Sequence, residues 1–312
     1  MPSLQISTTN DLSNFLNSDS YNQFVSFLSS LNSAVKGISL DHNDHHHAQQ
    51  NPTIIKHIMS VLSAVEHLLD DRSIDLPSDD QLILMHSTGA SNNLHSFHSF
   101  QFKLQKILRK LMLDVVVVVV GAEELIGELS EYFFRSFGDT ISSPLPLPAY
   151  SVVHELHFLA WTFCLSKIGI INDGDYIPLV SIVFVKYFHI IKKIMTTFKV
   201  QHGDGDDDSY PYPAYPHLPF LWGSSSLIGN DQVKPATLQE DDYDKDKYLF
   251  FSSAADAKAR GAEAVLNSMI KLGLDTITWQ EVNESIFKDY TENIMGDMSI
   301  MNHFLTGSII HF

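Results

Sequence analysis

The sequence predicts an all-α protein, and three observations carry the prediction. Apolar residues recur at three- and four-residue spacing through most of the long segments. Two of those segments open on the Ser/Thr-x-x-Gln/Glu spacing of a capping box. The stretches between them are rich in Gly, Pro, Asp and Ser, which resist helix and strand alike. At 312 residues the chain exceeds the usual size of one core, so a single large unit or two lobes sharing a cleft fit its length, and two lobes are the expectation. With 44% hydrophobic and 11% aromatic residues, it has ample material to bury.

Taken in order, the first helix is expected from Ser20, which with Gln23 has capping-box spacing. Phe24, Phe27, Leu28, Leu31 and Val35 follow in register, and Gly37 supplies the stop. Residues 38–50, with the run Asp-His-Asn-Asp-His-His-His, lack periodicity and read as a loop. Asn51 and Pro52 open a second helix with the stripe Ile54, Ile55, Ile58, Leu62, Val65, Leu68 and Leu69, ending near Asp70. A polar connector over 75–93 leads to a basic amphipathic helix over 97–112. Val115 to Val120 are six consecutive valines, whose β-branched side chains suit a short strand. The helical spacing of Leu125, Leu129, Tyr132 and Phe133 makes the expected reading one in which the valines lead into a helix over 122–137.

Three prolines within 142–148 rule out regular helix there and suit a cleft wall. Residues 155–168 are apolar around most of their circumference, so that helix is expected to be buried on all sides. Residues 169–174 form a turn, and Asp175 caps a long helix with Val180, Val183, Phe184, Tyr187, Phe188, Ile191, Ile194 and Phe198 on its buried side. Residues 201–219 combine an acidic run with four prolines and read as a long loop. A second acidic stretch covers 239–247. Thr278 and Glu281 then make a capping box ahead of Trp279, Val282, Ile286, Tyr290 and Ile294.

Asp plus Glu number 37 against 20 Lys plus Arg, a net charge of -17, which repels phosphate backbones and excludes nucleic acid as a partner. The one cysteine, Cys164, lies in an apolar helical pattern and reads as a buried, inert thiol in a reducing compartment. The opening Met-Pro-Ser-Leu-Gln lacks a signal-peptide pattern, and no apolar run approaches the roughly 18 residues of a spanning helix. The expectation is cytoplasmic or nuclear residence with no membrane partner.

The order of several landmarks resembles the phosphotyrosyl phosphatase activator family from Ser18 to Ser308. Leu31, Asn32, Val35, Lys36 and Gly37 match the end of its opening helix. Residues 129–141, then Tyr150, His154 and Glu155, are similar to its Ser-Phe-Gly-Asn segment and its Tyr-Gly-Thr-Gly-His-Glu signature. The most specific match is Leu218-Pro219-Phe220-Leu221-Trp222-Gly223-Ser224-Ser225. Trp279, Val282 and Asn283, then His303, Phe304, Gly307 and Ser308, resemble the closing segments in the right order.

The resemblance implies one phosphatase-activator-like unit over 1–312, with an N-terminal helical lobe at 18–141 and, over 142–312, a deep cleft, the acidic and Pro-rich loop and C-terminal helices. It implies an activator of type 2A serine/threonine protein phosphatase that binds the catalytic subunit. It further implies peptidyl-prolyl cis-trans isomerase activity on proline-containing peptide segments, and ATP with Mg near the shared surface. The candidate cleft and partner residues are Tyr150, His154, Glu155, Leu218, Pro219, Phe220, Trp222, Gly223, Asn283, His303 and Gly307.

The chain departs from the family where nucleotide chemistry would sit. The signature's two glycines and threonine become Ser151, Val152 and Val153, and β-branched valine blocks the close backbone approach that phosphate needs. The arginine usually upstream is replaced within 145–149, and Leu305 and Thr306 stand where a lysine is expected. Asp206, Asp207 and Asp208 are candidates for a hard cation, against the commoner reading of a solvated acidic loop. These changes favour an alternative, a non-catalytic phosphatase-binding scaffold without ATP-Mg or isomerase function.

His45, His46 and His47 with Asp41 and Asp44 have zinc-binding chemistry, but without H-x-x-x-H spacing they read as a surface tract, which places a metalloprotein last. His154 and Glu155 have acid/base chemistry, yet neighbours on a helix point about 100° apart, which favours a structural role over a catalytic pair. Trp222 reads equally as a partner platform or as core.

Overall fold

The computed structural model describes residues 1–40, 52–71, 92–116, 122–138, 151–198, 215–239, 247–260 and 278–312. The expected loops beyond Leu40, the connector up to residue 91, the Pro-rich 142–148, Tyr150, the His tract, Asp206 to Asp208 and the acidic stretch 240–246 lie outside them. The fold is all-α, as expected. Its helices are α1 (Thr9–Leu16), α2 (Asp19–Ala34), α3 (Thr53–Asp70), α4 (Asn92–Val116), α5 (Ile126–Arg135) and α6 (Val152–Lys167), then α7 (Val185–Thr197), α8 (Leu218–Leu227), α9 (Leu249–Ala259), α10 (Trp279–Asp289) and α11 (Met298–Met301). The described strands, β1 (Ser3–Leu4) and β2 (Leu305–Thr306), form one short antiparallel pair near the two ends of the chain.

Helix α1 was not expected. Its start is a capping box in which the Thr8 hydroxyl accepts from Asp11 N at 3.2 Å and the Asp11 carboxylate accepts from Thr8 N at 2.8 Å. Helix α2 is capped by Ser18, whose hydroxyl accepts from Tyr21 N at 3.1 Å. Ser20, the expected cap, is instead buried inside the helix and accepts from His311 N at 3.2 Å. Gly37 ends the segment with φ 70°, the left-handed conformation that glycine adopts without strain.

The stripe of α3 buries Ile55, Ile58, Val61, Leu62, Val65 and Leu69 against its neighbours α4 and α7. Val115 and Val116 form the buried last turn of α4, so the strand reading fails for these two. Packing against α5 outweighs β-branched propensity there. Every residue from Val152 to Leu165 in α6 is buried, as the uniform hydrophobicity requires.

Asp175 does not cap the next helix through its side chain. Its carboxylate accepts from Asn172 N at 2.9 Å, and the chain then runs through Tyr176–Pro178 and a π-helical segment, Leu179–Phe184, into α7. The box at Thr278 is present as expected, with Glu281 accepting from Thr278 N at 2.7 Å. A second π-helical segment, Tyr290–Ile294, follows α10.

Leu218 and Pro219, expected at the end of a loop, form the first turn of α8, with proline at a position that needs no N–H. All ten residues of α8 are buried, because α2, α9 and α10 pack around it. Its apolar side chains join those of the other helices in one connected core. Among the described residues, no helix is long and apolar enough to cross a membrane.

Candidate functional site

Helix α8 carries the most specific sequence match, and the candidate residues converge on it from other elements. Glu155, in the first turn of α6, is fully buried and points at the start of α8. Its carboxyl oxygens accept from His217 N at 3.2 Å, Leu218 N at 3.0 Å and the Tyr290 hydroxyl at 3.2 Å. Those backbone donors have no partner inside α8, so a carboxyl supplied by another helix does the work of an N-cap. Burial nevertheless outweighs these donors and pushes the Glu155 carboxyl up to about 8. Burial also pulls His217 down to about 4, so its ring is neutral at pH 7, with its Nδ1 2.9 Å from the Tyr215 carbonyl.

Further along α8, Asn283 of α10 donates to the Leu221 carbonyl at 2.9 Å and to the Ser224 hydroxyl at 3.0 Å. Its carbonyl accepts from Asn32 Nδ2 at 2.8 Å. The Ser225 hydroxyl donates to the Asn32 carbonyl at 2.6 Å. Thus α2, α8 and α10 share one network of buried amides and hydroxyls. Gly223 faces α9, where an added Cβ would lie 2.6 Å from Phe250 N. Only glycine lets the two backbones approach that closely.

Trp222 and Phe220 are both fully buried. The Trp222 ring meets Phe184 edge-on at 5.6 Å, and Phe220 meets Phe250 at 5.3 Å. The partner-platform reading of Trp222 is therefore overturned: α8 sits at the centre of the fold, and every face of the ring is covered. Leu218 and Pro219 are buried with it.

His154 and Glu155 part company, as helix geometry requires. His154 Nδ1 lies 2.8 Å from the Arg135 carbonyl, which places a proton on that nitrogen. His303 is half-buried at the end of α11. Gly307 packs directly on the Glu128 carboxylate, with no room for a Cβ between them. Glu128 accepts from Ser308 N at 3.0 Å, from the Ser308 hydroxyl at 2.6 Å and from Ile309 N at 3.1 Å. Sequence reasoning missed Glu128, His217 and the polar end of Tyr290. The capping of α8 by Glu155 had no local signal, and the Gly-Ser pair was the only hint of the Glu128 clamp.

The resemblance would place a phosphate cradle at the first turn of α6. There Val152 and Glu155 are fully buried, and Val153 and His154 are each 6% exposed. Among the described residues no group of three or more His, Cys, Asp or Glu is placed to hold a metal ion.

Together these contacts define a large helical protein whose signature segment is a core helix, tied to its neighbours by buried carboxyl and amide groups. The particular family follows from comparison: the chain belongs to the Phosphotyrosyl phosphate activator (PTPA) protein family, whose model matches residues 2–312. It is 26% identical over 327 residues to serine/threonine-protein phosphatase 2A activator 2 of Candida albicans, covering 99% of this chain and 82% of that protein. It is 25% identical to the probable activator 1 of Dictyostelium discoideum, covering 98% of this chain and 89% of the relative. The activator 2 of Schizosaccharomyces pombe is 26% identical, with 99% and 83% covered.

Proposed function

We propose that this chain is an activator or regulator of type 2A serine/threonine protein phosphatase that binds the catalytic subunit through its surface and works without a resident nucleotide. The observation that carries the reading is the family match over residues 2–312, with relatives named phosphatase 2A activators aligned along nearly the whole chain. The nucleotide-free part is supported by the buried first turn of α6, where Val152 and Val153 replace the bare backbone of the family signature. A non-catalytic scaffold is the second reading, favoured by His154 and Glu155, whose polar atoms are engaged within the fold. Cytoplasm or nucleus is the proposed setting.

The test titrates the full chain into type 2A catalytic subunit of low activity and follows hydrolysis of a phosphopeptide, beside an isomerisation assay on a proline-containing peptide. Stimulation without ATP-Mg is expected. Stimulation only with ATP-Mg overturns the nucleotide-free part. Stable binding with neither stimulation nor isomerisation selects the scaffold, and absence of both binding and stimulation overturns the regulator reading.

A further inference from the structure

Helix α7, the segment from Tyr215 to Pro219 and helix α9 line a cavity of about 520 Å³ that opens to solvent, within the roughly 300–1,000 Å³ typical of small-molecule sites. Phe188, Ile191, Met195, Pro216, Pro219 and Leu249 make an apolar wall. The polar side holds Lys192, Tyr215 and Asp256, with the Ser252 and Ser253 side chains beside them.

Among the described residues, the charges on that side do not balance. Asp256 receives Lys192 Nζ at 3.1 Å, Arg260 Nε at 2.9 Å and the Tyr215 hydroxyl at 3.1 Å. Two cations on one carboxylate leave one positive charge over. Arg260 is also held by the Thr196 hydroxyl at 3.0 Å, whereas the Lys192 side chain is 56% exposed and can turn toward a ligand.

The bias continues along α7. Lys186 pairs with Glu66 and Lys193 with Asp70, so these ion pairs set four cations against three carboxylates on a chain of net charge -17. His189 adds no charge, because burial first, and then the neighbouring lysines against Glu66, hold it below its ordinary value. Among the described residues a polyphosphate would find one spare cation and an apolar wall, and a plain hydrocarbon would leave Lys192 without a new partner.

We propose that this cavity binds a small amphiphilic monocarboxylate, its hydrocarbon body against Phe188, Met195, Pro216 and Leu249 and its carboxylate on Lys192 Nζ. The site is independent of the phosphatase reading.

The test is calorimetric titration of the full chain with decanoate, with octanoate and decanol as comparators. One saturable decanoate site is expected. Each buried methylene contributes about fourfold, so octanoate should bind at least tenfold more weakly. Lys192→Ala should weaken decanoate about fivefold, as expected of a partly exposed charge pair, and leave decanol unchanged. Ser252→Trp fills the cavity from a half-buried position of α9 and should abolish binding while the thermal melt stays that of the parent. No saturation by about 10 mM decanoate, equal binding by the Ser252→Trp protein, or indifference to Lys192→Ala would each overturn the proposal.

Discussion

Replacing Glu155 by Gln sets two opposing forces on one buried carboxyl against each other. Burial pushes it up to about 8, against 4.5 for the exposed group, while three donors act the other way. Between those values the folded chain holds a proton that the unfolded chain has released. The contribution to stability is therefore complete below 4.5 and is lost as pH rises through about 8. At about 1.36 kcal/mol per pH unit, the wild type should lose about 3 kcal/mol relative to the variant between about pH 5.5 and 8.5. Gln cannot titrate, and its amide turns a donor toward one of the two backbone N–H groups at the start of α8, a fixed cost of about 1–3 kcal/mol. His217, held low by burial, is present in both proteins and cancels in the difference. Urea unfolding followed by far-ultraviolet circular dichroism at both pH values measures it. The wild-type advantage should shrink, or reverse, at the higher pH. A wild-type advantage that grows with pH would show that the three donors and the α8 terminus keep the carboxylate ionised, and would refute the reasoning from burial.

Other perturbations follow from the same geometry. Trp222→Ala should destabilise the fold by about 3–5 kcal/mol through the cavity it leaves, read from urea midpoints, and a fully stable variant would contradict its burial. Gly223→Ala should cost about 1–3 kcal/mol or more, because its Cβ would meet Phe250 backbone; the thermal melt checks this. Glu128→Ala leaves donors at Ser308 and Ile309 without their acceptor and should cost about 2–3 kcal/mol, with faster carboxypeptidase trimming from Phe312. Trimming at the parental rate would remove Glu128 from its role as clamp.

What the sequence made legible was whatever repeats along one helix. The stripes of α3 and α10, the box at Thr278 and the burial of α6 as far as Leu165 all depend on neighbours within a turn or two, and all are present. What it hid depends on distant partners. Ser20 looks like a cap, but its hydroxyl serves His311, 291 residues away. Glu155 looks like half of an acid/base pair, but its acceptors serve a helix start 62 and 63 residues on. Glu128 gives no local signal because its donors lie 180 and 181 residues downstream. Trp222 was ambiguous because an aromatic beside proline suits either a surface or a core, and only the packing of α2, α9 and α10 around α8 decides it. The valines at 115 and 116, expected to lead into the helix over 122–137, instead complete α4, because a buried contact outweighs β-branched propensity.

The most direct test of the regulator account is the dissociation constant of the isolated chain for type 2A phosphatase catalytic subunit, measured with and without ATP-Mg. The account predicts saturable binding that is the same in both conditions, alongside no ATP-Mg binding to the chain alone tighter than roughly millimolar, about 4 kcal/mol. Failure to bind the catalytic subunit, or binding that appears only with ATP-Mg, would contradict it.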